Sequence, residues 1–403
     1  MHWENILATR ASRLKASEIR ELLKLIGQPG VISFAGGIPD DALFPVTEFQ
    51  QAFAALCEGE NASAALQYAT SEGHLPLRQW IVGEMAKLGI PCDSGNIIIT
   101  SGSQQALDYL GKLLLSPGDT ALVQWPTYLG ALSAFNAYEP VYDRLETGAL
   151  RPAESYRQAA SGGRVKFAYL SSEFCNPTGE SIDSKERVRL LNLARDLDIA
   201  IIEDAAYQSL RYDGEVIPPI LALDIEREGS IEATRTLYCG SFSKTLSPGL
   251  RVGWVCGAKS VISRLVLMKQ ASDLHSGVVN QMAVADVATR AFDKQIEKIR
   301  PVYRQRRDSM LQALSREMPA GINWTRPEGG MFIWLTLPDF MDSVGLLADS
   351  LKSEKVAFIP GSAFFADRSG ANSLRLSFSN SSEENIEQGI ARLGRVIRQA
   401  LAS

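Results

Sequence analysis

The sequence predicts an α/β protein: a large domain with a mostly parallel, mixed sheet flanked by helices, followed by a smaller α+β domain. Three observations support this fold class. From about residue 96, short apolar runs bounded by turn residues alternate with segments of helical periodicity. Several runs, such as 165–170 and 199–204, are apolar on both faces, as expected for strands that helices cover on both sides. After about residue 293 the alternation ends, and a long helical segment precedes a group of strand-like stretches.

The large domain contains six predicted strands, each an apolar run that ends at turn or polar residues: 96–100, 121–125, 165–170, 199–204, 236–242 and 251–257. The stretches between them, such as QQALDYLGKLLL, have the periodicity of amphipathic helices.

In the small domain we predict a helix over 293–318, bent near Pro301, and a closing helix from about 382 to 401. The strand-like segments between them are NWTRPEGGMFIWLTLP, VAFIPG and SLRLSFS. A further helix is predicted near the N-terminus, in SEIRELLKLIGQPG. The predicted boundaries are therefore an N-terminal arm over 1–37 that packs with the small domain, a large domain over 38–290 and a small domain over 291–403.

The composition is that of an ordinary globular protein. The 403 residues are 45% hydrophobic and 22% charged, which excludes disordered, collagen-like and disulfide-framework proteins. The formal net charge of −5 and the absence of a basic run argue against a nucleic-acid partner. No apolar stretch approaches the roughly 20 residues of a membrane span, and no apolar segment follows the basic N-terminus as in a signal peptide. The five scattered cysteines and three histidines lack metal-ligand spacing, which predicts reduced thiols in the cytoplasm and no metal site.

Lys244 is the first candidate for chemistry. It lies in SFSKTLSPGLR, with Ser241 and Ser243 just before it and Arg251 seven positions later. Hydroxyls and a guanidinium beside an amine form an anion pocket, and burial with cationic neighbours lowers the pKa of the amine. A neutral amine of this kind can form an imine with an aldehyde cofactor. A solvated surface lysine is the ordinary alternative.

Asp204 ends the apolar run 199–204. In an open α/β sheet the ligand crevice lies just beyond the carboxyl ends of the strands, and a carboxylate buried there needs a cationic or hydrogen-bonding partner. A protonated pyridine nitrogen is such a partner, and Tyr207, three residues on, can place its phenol beside the same ring. An N-cap role or a structural ion pair is the alternative for Asp204.

Five more residues occupy positions typical of a binding site. Ser103 and Gln104, in TSGSQQALD, lie at a strand-to-helix junction whose backbone N–H groups can bind an anion. Asn176, in FCNPTGE, and Tyr128, in WPTY, each follow an apolar run. Arg375 lies in the alternating strand LRLSFS and can either bind a carboxylate or face solvent. Each signal alone also fits an ordinary turn, cap or surface residue.

Together these motifs resemble the fold-type-I, class I/II aminotransferases, which use pyridoxal 5′-phosphate. Asn-Pro-x-Gly, Asp-x-x-Tyr, Ser-x-Ser-Lys with an arginine seven positions on, and an arginine in the small domain occur in the order of that family. The likeness covers nearly the whole chain. ISFAGGIPD, LQYATSEGHLPLR, SFSKTLSPGLRVGWV and LRLSFSN are most similar to the branch that contains 2-aminoadipate and kynurenine aminotransferases and MocR-type regulators.

The resemblance implies roles for the matching residues. Lys244 would bind the cofactor and later move a proton, Asp204 would pair with the ring nitrogen, and Arg375 would bind the substrate α-carboxylate. Asn176 and Tyr207 would bond the phenolic oxygen of the cofactor, and Asn176 would also border the substrate.

Further matching residues would surround the cofactor and the substrate. Tyr128 would stack on the ring, and Tyr68 would reach the phosphate of the neighbouring subunit, because active sites in this family lie at a homodimer interface. The residues that would hold the phosphate are Ser103, Gln104, Ser241, Ser243 and Arg251. Those that would shape the side-chain pocket are Ser17, Arg20, Gly36 and Gly37. Arg20 would meet an acidic substrate side chain and withdraw for an apolar one.

Two residues depart from the pattern of this branch. Ser172 and Cys175 stand where proline and glutamine are usual. Neither belongs to the predicted catalytic set, but the departures leave the identity of the substrate open.

The predicted function is ping-pong transfer of an amino group from an L-amino acid (aromatic, 2-aminoadipate or a broader range) to a 2-oxo acid such as 2-oxoglutarate or pyruvate. A β-lyase, decarboxylase or racemase on the same scaffold is the alternative within this cofactor class. A non-catalytic, MocR-like sensor domain is a third possibility. It is disfavoured because those regulators carry a winged-helix domain before this region. Here about 30 residues precede the FAGG turn at residues 34–37.

Overall fold

The computed structural model describes residues 5–13, 30–58, 62–160 and 162–402. Residues 17–29 of the predicted N-terminal helix, with Ser17 and Arg20, lie outside the described residues. The predicted α/β class is confirmed: helices cover both faces of a mixed, seven-stranded sheet, and a four-stranded antiparallel sheet follows it in the chain.

Thirteen strands form within the described residues. In chain order they are β1 (Ile32–Ser33), β2 (Ile97–Thr100), β3 (Thr120–Gln124), β4 (Val141–Leu145), β5 (Val165–Leu170), β6 (Ala200–Asp204), β7 (Thr236–Ser241), β8 (Gly253–Cys256), β9 (Asn323–Trp324), β10 (Phe332–Thr336), β11 (Val356–Ala357), β12 (Ile359–Pro360) and β13 (Ser373–Ser377).

Twelve α-helices are present in the same part of the chain. They are α1 (Val46–Cys57), α2 (Ala62–Leu66), α3 (Leu75–Lys87), α4 (Ser103–Leu114), α5 (Leu129–Asn136), α6 (Ala153–Ala159), α7 (Ser184–Leu197), α8 (Ile220–Glu228), α9 (Lys259–Gln270), α10 (Val278–Glu317), α11 (Ser343–Ser353) and α12 (Glu383–Ala402).

The large sheet has the strand order β2-β8-β7-β6-β5-β3-β4. Strands β3 to β7 pair in parallel, whereas β8 runs antiparallel to both of its neighbours, β7 and β2. The parallel strands therefore end at one edge of the sheet, where ligand crevices form in open α/β folds.

Alternating side chains of the strands explain why the predicted runs are apolar on both faces. Ile202 of β6 packs with α4, α5 and α9, whereas Ile201 packs with α6 and α7 on the opposite face. Both isoleucines are completely buried, and burial of such a side chain contributes about 1.5–3 kcal/mol.

Two of the differences from the sequence prediction have a clear physical reason. The edge strand β4 was not predicted, because its residues VYDRL are largely exposed and form no apolar run. The helix predicted over 293–318 begins earlier, at Val278, and continues through Pro301 as α10. Its first half packs against α1 and α3, so tertiary contacts extend it across the predicted boundary at 290.

The FAGG turn is brought to the small sheet by strand pairing. β1 pairs in parallel with β11, and the backbone carbonyl of Phe34 accepts a hydrogen bond of 2.8 Å from the amide of Ser377 at the end of β13. Residues 34–37 therefore lie beside the strand that carries Arg375. Among the described helices, none is both long and apolar enough to cross a bilayer.

Candidate active site

The sheet topology places three predicted residues at one edge. Asp204 is the last residue of β6, Ser241 is the last residue of β7, and Asn176 follows the end of β5. Because β5, β6 and β7 are adjacent and parallel, their carboxyl ends meet. Lys244 lies in the turn after β7, and Tyr207 lies in the turn after β6.

Asp204 is a buried carboxylate with two unequal hydrogen bonds. Its Oδ2 accepts 2.8 Å from the hydroxyl of Tyr169, and its Oδ1 accepts 3.3 Å from the amide of Ala206. Burial raises the pKa of Asp204, whereas the Tyr169 hydrogen bond and the charge of Lys244 lower it. The site thus contains a carboxylate suited to a cationic partner.

Lys244 projects toward the FAGG turn. Its Nζ donates a hydrogen bond of 3.0 Å to the carbonyl of Gly37 and lies 5.6 Å from the centre of the Tyr207 ring. Burial, and then the positive charges of Arg375 and Arg251, lower the pKa of Lys244 to about 8. A substantial fraction of the amine is therefore neutral near physiological pH, as a nucleophilic lysine requires.

Arg375 is buried between two aromatic rings. Its Cζ lies 4.2 Å from the centre of the Phe332 ring and 5.0 Å from that of Phe364. Nη1 donates 2.7 Å to Oδ1 of Asn176, and Nη2 donates 2.6 Å to the carbonyl of Ala35. Within the described residues Nε has no hydrogen-bond partner.

The electrostatic surroundings of this arginine suit an incoming anion. Burial lowers the pKa of Arg375 to about 10, and the groups that oppose this shift are the phenols of Tyr207 and Tyr128 rather than a carboxylate. A buried guanidinium that keeps a free donor can bind a substrate carboxylate.

The N-terminus of α4 and Arg251 form an anion cradle. Gly102, which precedes α4, has a φ of 80°, and a Cβ there would collide with the guanidinium of Arg251. Nη2 of this guanidinium also donates 3.3 Å to the carbonyl of Ser101. Arg251 itself adopts a φ of 53°, which is uncommon for a residue other than glycine and recurs at ligand sites. The N–H groups at the start of α4 lack intrahelical partners and complete the cradle, except that of Gln105, which donates 3.2 Å to the carbonyl of Gly102.

The other predicted phosphate residues lie around this cradle. Ser103 is the first residue of α4, and a Cβ on Gly253 would lie 2.8 Å from its backbone nitrogen, so β8 passes close to the helix terminus. The Oγ of Ser241 accepts 3.1 Å from the amide of Ser243. The side chain of Gln104 is engaged elsewhere, because its Nε2 donates 2.7 Å to the carbonyl of Gly130. Gln104 can therefore offer an anion its backbone N–H.

Tyr128 lies close enough to Asp204, Arg375 and Arg251 for their charges to act on its phenol. It caps α5, and its ring covers Gly130 so closely that a Cβ at that glycine would collide with it. Burial and the charge of Asp204 raise the pKa of Tyr128, whereas Arg375 and Arg251 lower it. Tyr207 has a similar environment: burial raises its pKa, and Arg375 and a hydrogen bond from Asn176 lower it.

The Gly-Gly turn borders the same pocket. A Cβ on Gly37 would lie 2.8 Å from the ring of Phe332, so only glycine fits at that position. At Gly36 a Cβ would contact, among the described residues, the side chain of Ile38 at an ordinary 3.6 Å.

Tyr68 lies at the surface of the isolated chain. Its side chain is 78% exposed, and its ring meets the edge of His275 at a centroid distance of 5.8 Å. Ser17 and Arg20 lie outside the described residues, so their predicted roles have no structural counterpart here.

Three residues of the site were missed in the sequence. Phe332 and Phe364 enclose Arg375, and Tyr169 bonds Asp204. Tyr169 and Phe332 stand in segments predicted only as strands, and Phe364 follows the strand-like segment VAFIPG. Their contacts join parts of the chain far apart in sequence, so local pattern carried no signal for them.

The two departures from the family pattern, Ser172 and Cys175, form a buried polar layer with Glu203 and Gln124. Ser172 donates 2.6 Å to Oε1 of the buried Glu203. Cys175 contacts Oε1 of Gln124 at 3.5 Å, and burial raises the pKa of its thiol to about 12. Cys175 is therefore an inert thiol at neutral pH.

An ion pair joins this layer to the core. Glu173 is 2% exposed and lies 2.5 Å from Arg187, which is completely buried, and it also pairs with Arg211. The described residues hold no group of histidine, cysteine or acidic side chains that could bind a metal.

The chain is similar to known proteins over nearly its whole length. Residues 29–393 match the family described as Aminotransferase class I and II. Aromatic-amino-acid aminotransferase 1 of Thermococcus litoralis is 40% identical over 409 residues, which cover 100% of this chain and 96% of that protein.

Two solved structures are similar over the full length. One is LysN, α-aminoadipate aminotransferase of Thermus thermophilus complexed with N-(5′-phosphopyridoxyl)-L-leucine, with a TM-score of 0.89, 37% identity and 100% of each chain covered. The other is a kynurenine aminotransferase of Pyrococcus horikoshii in complex with PMP, with a TM-score of 0.91, 40% identity, and 100% of this chain and 99% of that one covered.

Proposed function

We propose that this chain, which belongs to the class I and II aminotransferases, transfers the amino group of an aromatic amino acid, of 2-aminoadipate or of a broader range of L-amino acids to a 2-oxo acid such as 2-oxoglutarate or pyruvate. The chain is an aminotransferase that uses pyridoxal 5′-phosphate. The donor range is proposed from its similarity to the aromatic-amino-acid, α-aminoadipate and kynurenine enzymes.

The residues present fit the cofactor. When bound, pyridoxal 5′-phosphate supplies an aldehyde that reacts with amines and a protonated ring that withdraws electrons. Lys244 offers a partly neutral amine for the aldehyde, and Asp204 offers a buried carboxylate for the ring nitrogen. The cradle at α4 offers N–H groups, hydroxyls and a guanidinium for the phosphate. The residues proposed to contact the rest of the cofactor are Tyr128, Asn176 and Tyr207.

The same residues account for the steps of the reaction. Arg375 binds the substrate α-carboxylate and so fixes the direction of the Cα–H bond. Lys244, once its Nζ is free, removes the Cα proton and later returns one to the product. The positive charges of Arg375 and Arg251 keep this amine from holding its proton too tightly. The observation that supports the proposal most strongly is this lysine with a lowered pKa beside a buried arginine that keeps an unpartnered donor.

A half-reaction distinguishes transamination from the other chemistries of the cofactor. Holoenzyme mixed with one amino acid and no 2-oxo acid should release one equivalent of the matching 2-oxo acid per site and stop with pyridoxamine phosphate. A decarboxylase would release CO₂, a β-lyase would release ammonia continuously, and a racemase would form the D-amino acid. Any of these three outcomes in place of a stoichiometric 2-oxo acid would contradict the proposal. A panel of donors against 2-oxoglutarate and pyruvate then defines the substrates.

The lowered pKa of Lys244 predicts how cofactor capture depends on pH. We expect the rate at which cofactor-free protein binds pyridoxal 5′-phosphate covalently to rise with pH and to level off above about pH 8, where Nζ is neutral. Stopped-flow absorbance at a series of pH values measures this rate. Nα-acetyl-lysine is the control, and its rate should keep rising to about pH 10.4. A protein curve that follows the free amine would show that the pocket does not lower this pKa.

We also propose that the active enzyme is a homodimer in which Tyr68 serves the partner's site. The support is its exposure on the isolated chain, next to Leu66, which is 84% exposed. Large exposed apolar side chains of this kind mark interaction surfaces.

The domain boundaries and the location of the protein are proposed from the sequence. The domains are 38–290 and 291–403, with the arm 1–37, and the location is the reducing cytoplasm. All five cysteines are free thiols.

Mixed dimers test the shared site. Lys244→Ala and Tyr68→Ala subunits should each be weak alone, but their mixture should recover about a quarter of wild-type activity. Half of randomly mixed dimers are hybrids, and each hybrid contains one site in which both residues are intact. Reconstitution after denaturation, with activity and size-exclusion assays, measures the recovery. If Tyr68 serves its own chain, every site in a hybrid carries one defect and the mixture recovers nothing.

A further inference from the structure

Tyr169 is a fully buried tyrosine to which the proposed mechanism assigns no function. Its hydroxyl donates 2.8 Å to Oδ2 of Asp204. The strand register explains the contact: Tyr169 of β5 lies opposite Ile202 of β6, and Asp204 is two residues further along on the same face. The long phenol spans this step of roughly 6.6 Å along the strand.

The two oxygens of Asp204 accept hydrogen bonds of different length. Among the described residues, Oδ2 accepts the short bond from Tyr169, whereas Oδ1 accepts only the 3.3 Å bond from the amide of Ala206. A carboxylate oxygen can accept more than one hydrogen bond. Because the bond that Oδ1 accepts is the longer one, Oδ1 is the oxygen with more to gain from a further donor.

The ring of Tyr169 is held in place by packing. It meets the edge of Phe135 at a centroid distance of 5.5 Å and an angle of 76°, and Phe135 packs in turn on Phe167. These rings belong to the apolar cluster between the sheet and the helices α4 and α5. The packing of these rings therefore fixes the position of the Tyr169 hydroxyl.

The pKa shifts of the pair agree with Tyr169 as a permanent donor that counteracts the effect of burial on Asp204. Burial, and then the charge of Asp204, raise the pKa of Tyr169 well above its usual value, so the phenol stays protonated. Burial raises the pKa of Asp204, and the hydrogen bond from Tyr169 is the largest of the effects that oppose this rise. A hydrogen bond that is donated to an ionised carboxylate favours the charged form over the neutral one in apolar surroundings.

We propose that Tyr169 is a positioning residue: it holds Oδ2 of Asp204 so that Oδ1 faces the cofactor's ring nitrogen as a charged acceptor. Partners of this kind, which orient the group that makes the contact, are a general feature of cofactor and metal sites. The inference rests on the proposed role of Asp204.

The test compares Tyr169→Phe with Tyr142→Phe in holoenzyme loaded with ¹⁵N-labelled cofactor. Tyr142 is a control because its hydroxyl also hydrogen-bonds a side chain, that of Asn136, but it lies on the outer strand β4. In Tyr169→Phe we expect the ¹⁵N resonance of the ring nitrogen to move toward that of neutral pyridine. The dissociation constant of the cofactor should rise about tenfold and kcat should fall about tenfold, with KM for the amino acid unchanged. Tyr142→Phe should match the wild type.

The variant Asp204→Asn tests the proposed role of Asp204 separately from that of Tyr169. If Tyr169→Phe leaves both the ring-nitrogen resonance and the cofactor affinity unchanged while Asp204→Asn alters them, the role of Tyr169 is refuted and that of Asp204 stands. If neither variant alters them, the proposed role of Asp204 is refuted as well. Equal shifts in Tyr169→Phe and Tyr142→Phe would reduce the effect to general packing and also refute the positioning role.

Discussion

Replacing Lys244 by alanine is expected to lower kcat for transamination at least about 10³-fold and to remove the visible absorbance of the lysine-bound cofactor. The variant loses both the amine that holds the cofactor and the base that removes the Cα proton. No other described lysine shares its position, with Nζ on the Gly37 carbonyl and 5.6 Å from the centre of the Tyr207 ring. Absorbance spectra and steady-state rates measure the two effects.

A matched lysine separates this loss from a general effect of charge. Lys259 is exposed and pairs with Asp93, so Lys259→Ala should keep both the spectrum and the rate. Circular dichroism of Lys244→Ala should equal that of the wild type, because the substitution removes a side chain that contributes one hydrogen bond to the turn. A visible cofactor band that survives in Lys244→Ala would show that another amine holds the cofactor.

Replacing Arg375 by alanine is expected to lower kcat/KM about 10²–10³-fold for every amino acid, mainly through KM. The guanidinium is a buried cation whose Nε has no hydrogen-bond partner among the described residues, and its loss leaves the substrate carboxylate without this partner. Arg375→Lys should recover part of the loss, because it keeps the charge but not the planar fork. Steady-state kinetics over several donors measures the effect.

The substrate provides the sharper control for Arg375. An amine that lacks the carboxylate, such as the decarboxylated form of the best amino acid, should react equally slowly with the wild type and with Arg375→Ala. The penalty for losing the arginine and the penalty for losing the carboxylate should therefore not add. Additive penalties would show that Arg375 acts on something other than the carboxylate. Arg157→Ala, which removes an exposed arginine paired with Glu154, should behave as the wild type.

Much of the fold was predictable because its signals are local. The runs at 165–170 and 199–204 became β5 and β6 with nearly the predicted bounds, since an apolar strand bounded by polar turns needs no distant information. The strand β4 and the start of α10 were not predictable in this way. One is an exposed edge strand, and the other is extended by packing against α1 and α3.

The predicted site residues follow the same division. Asp204, Ser241 and Asn176 could be predicted to meet, because strand ends that follow one another in an α/β sheet share an edge. Gln104 shows the limit, because the direction of its side chain depends on a carbonyl 26 residues away, that of Gly130.

The sequence by itself determined the fold class, the order of the chemical groups along the chain and the family to which that order belongs. Only the tertiary structure decided that the Arg375 guanidinium lies between Phe332 and Phe364, that the Lys244 amine reaches the Gly37 carbonyl, and that Tyr169 holds one oxygen of Asp204. The reason is physical. Residue type and local spacing set what a side chain can do, whereas its pKa and its partners depend on burial and on charges that the chain brings together from distant positions.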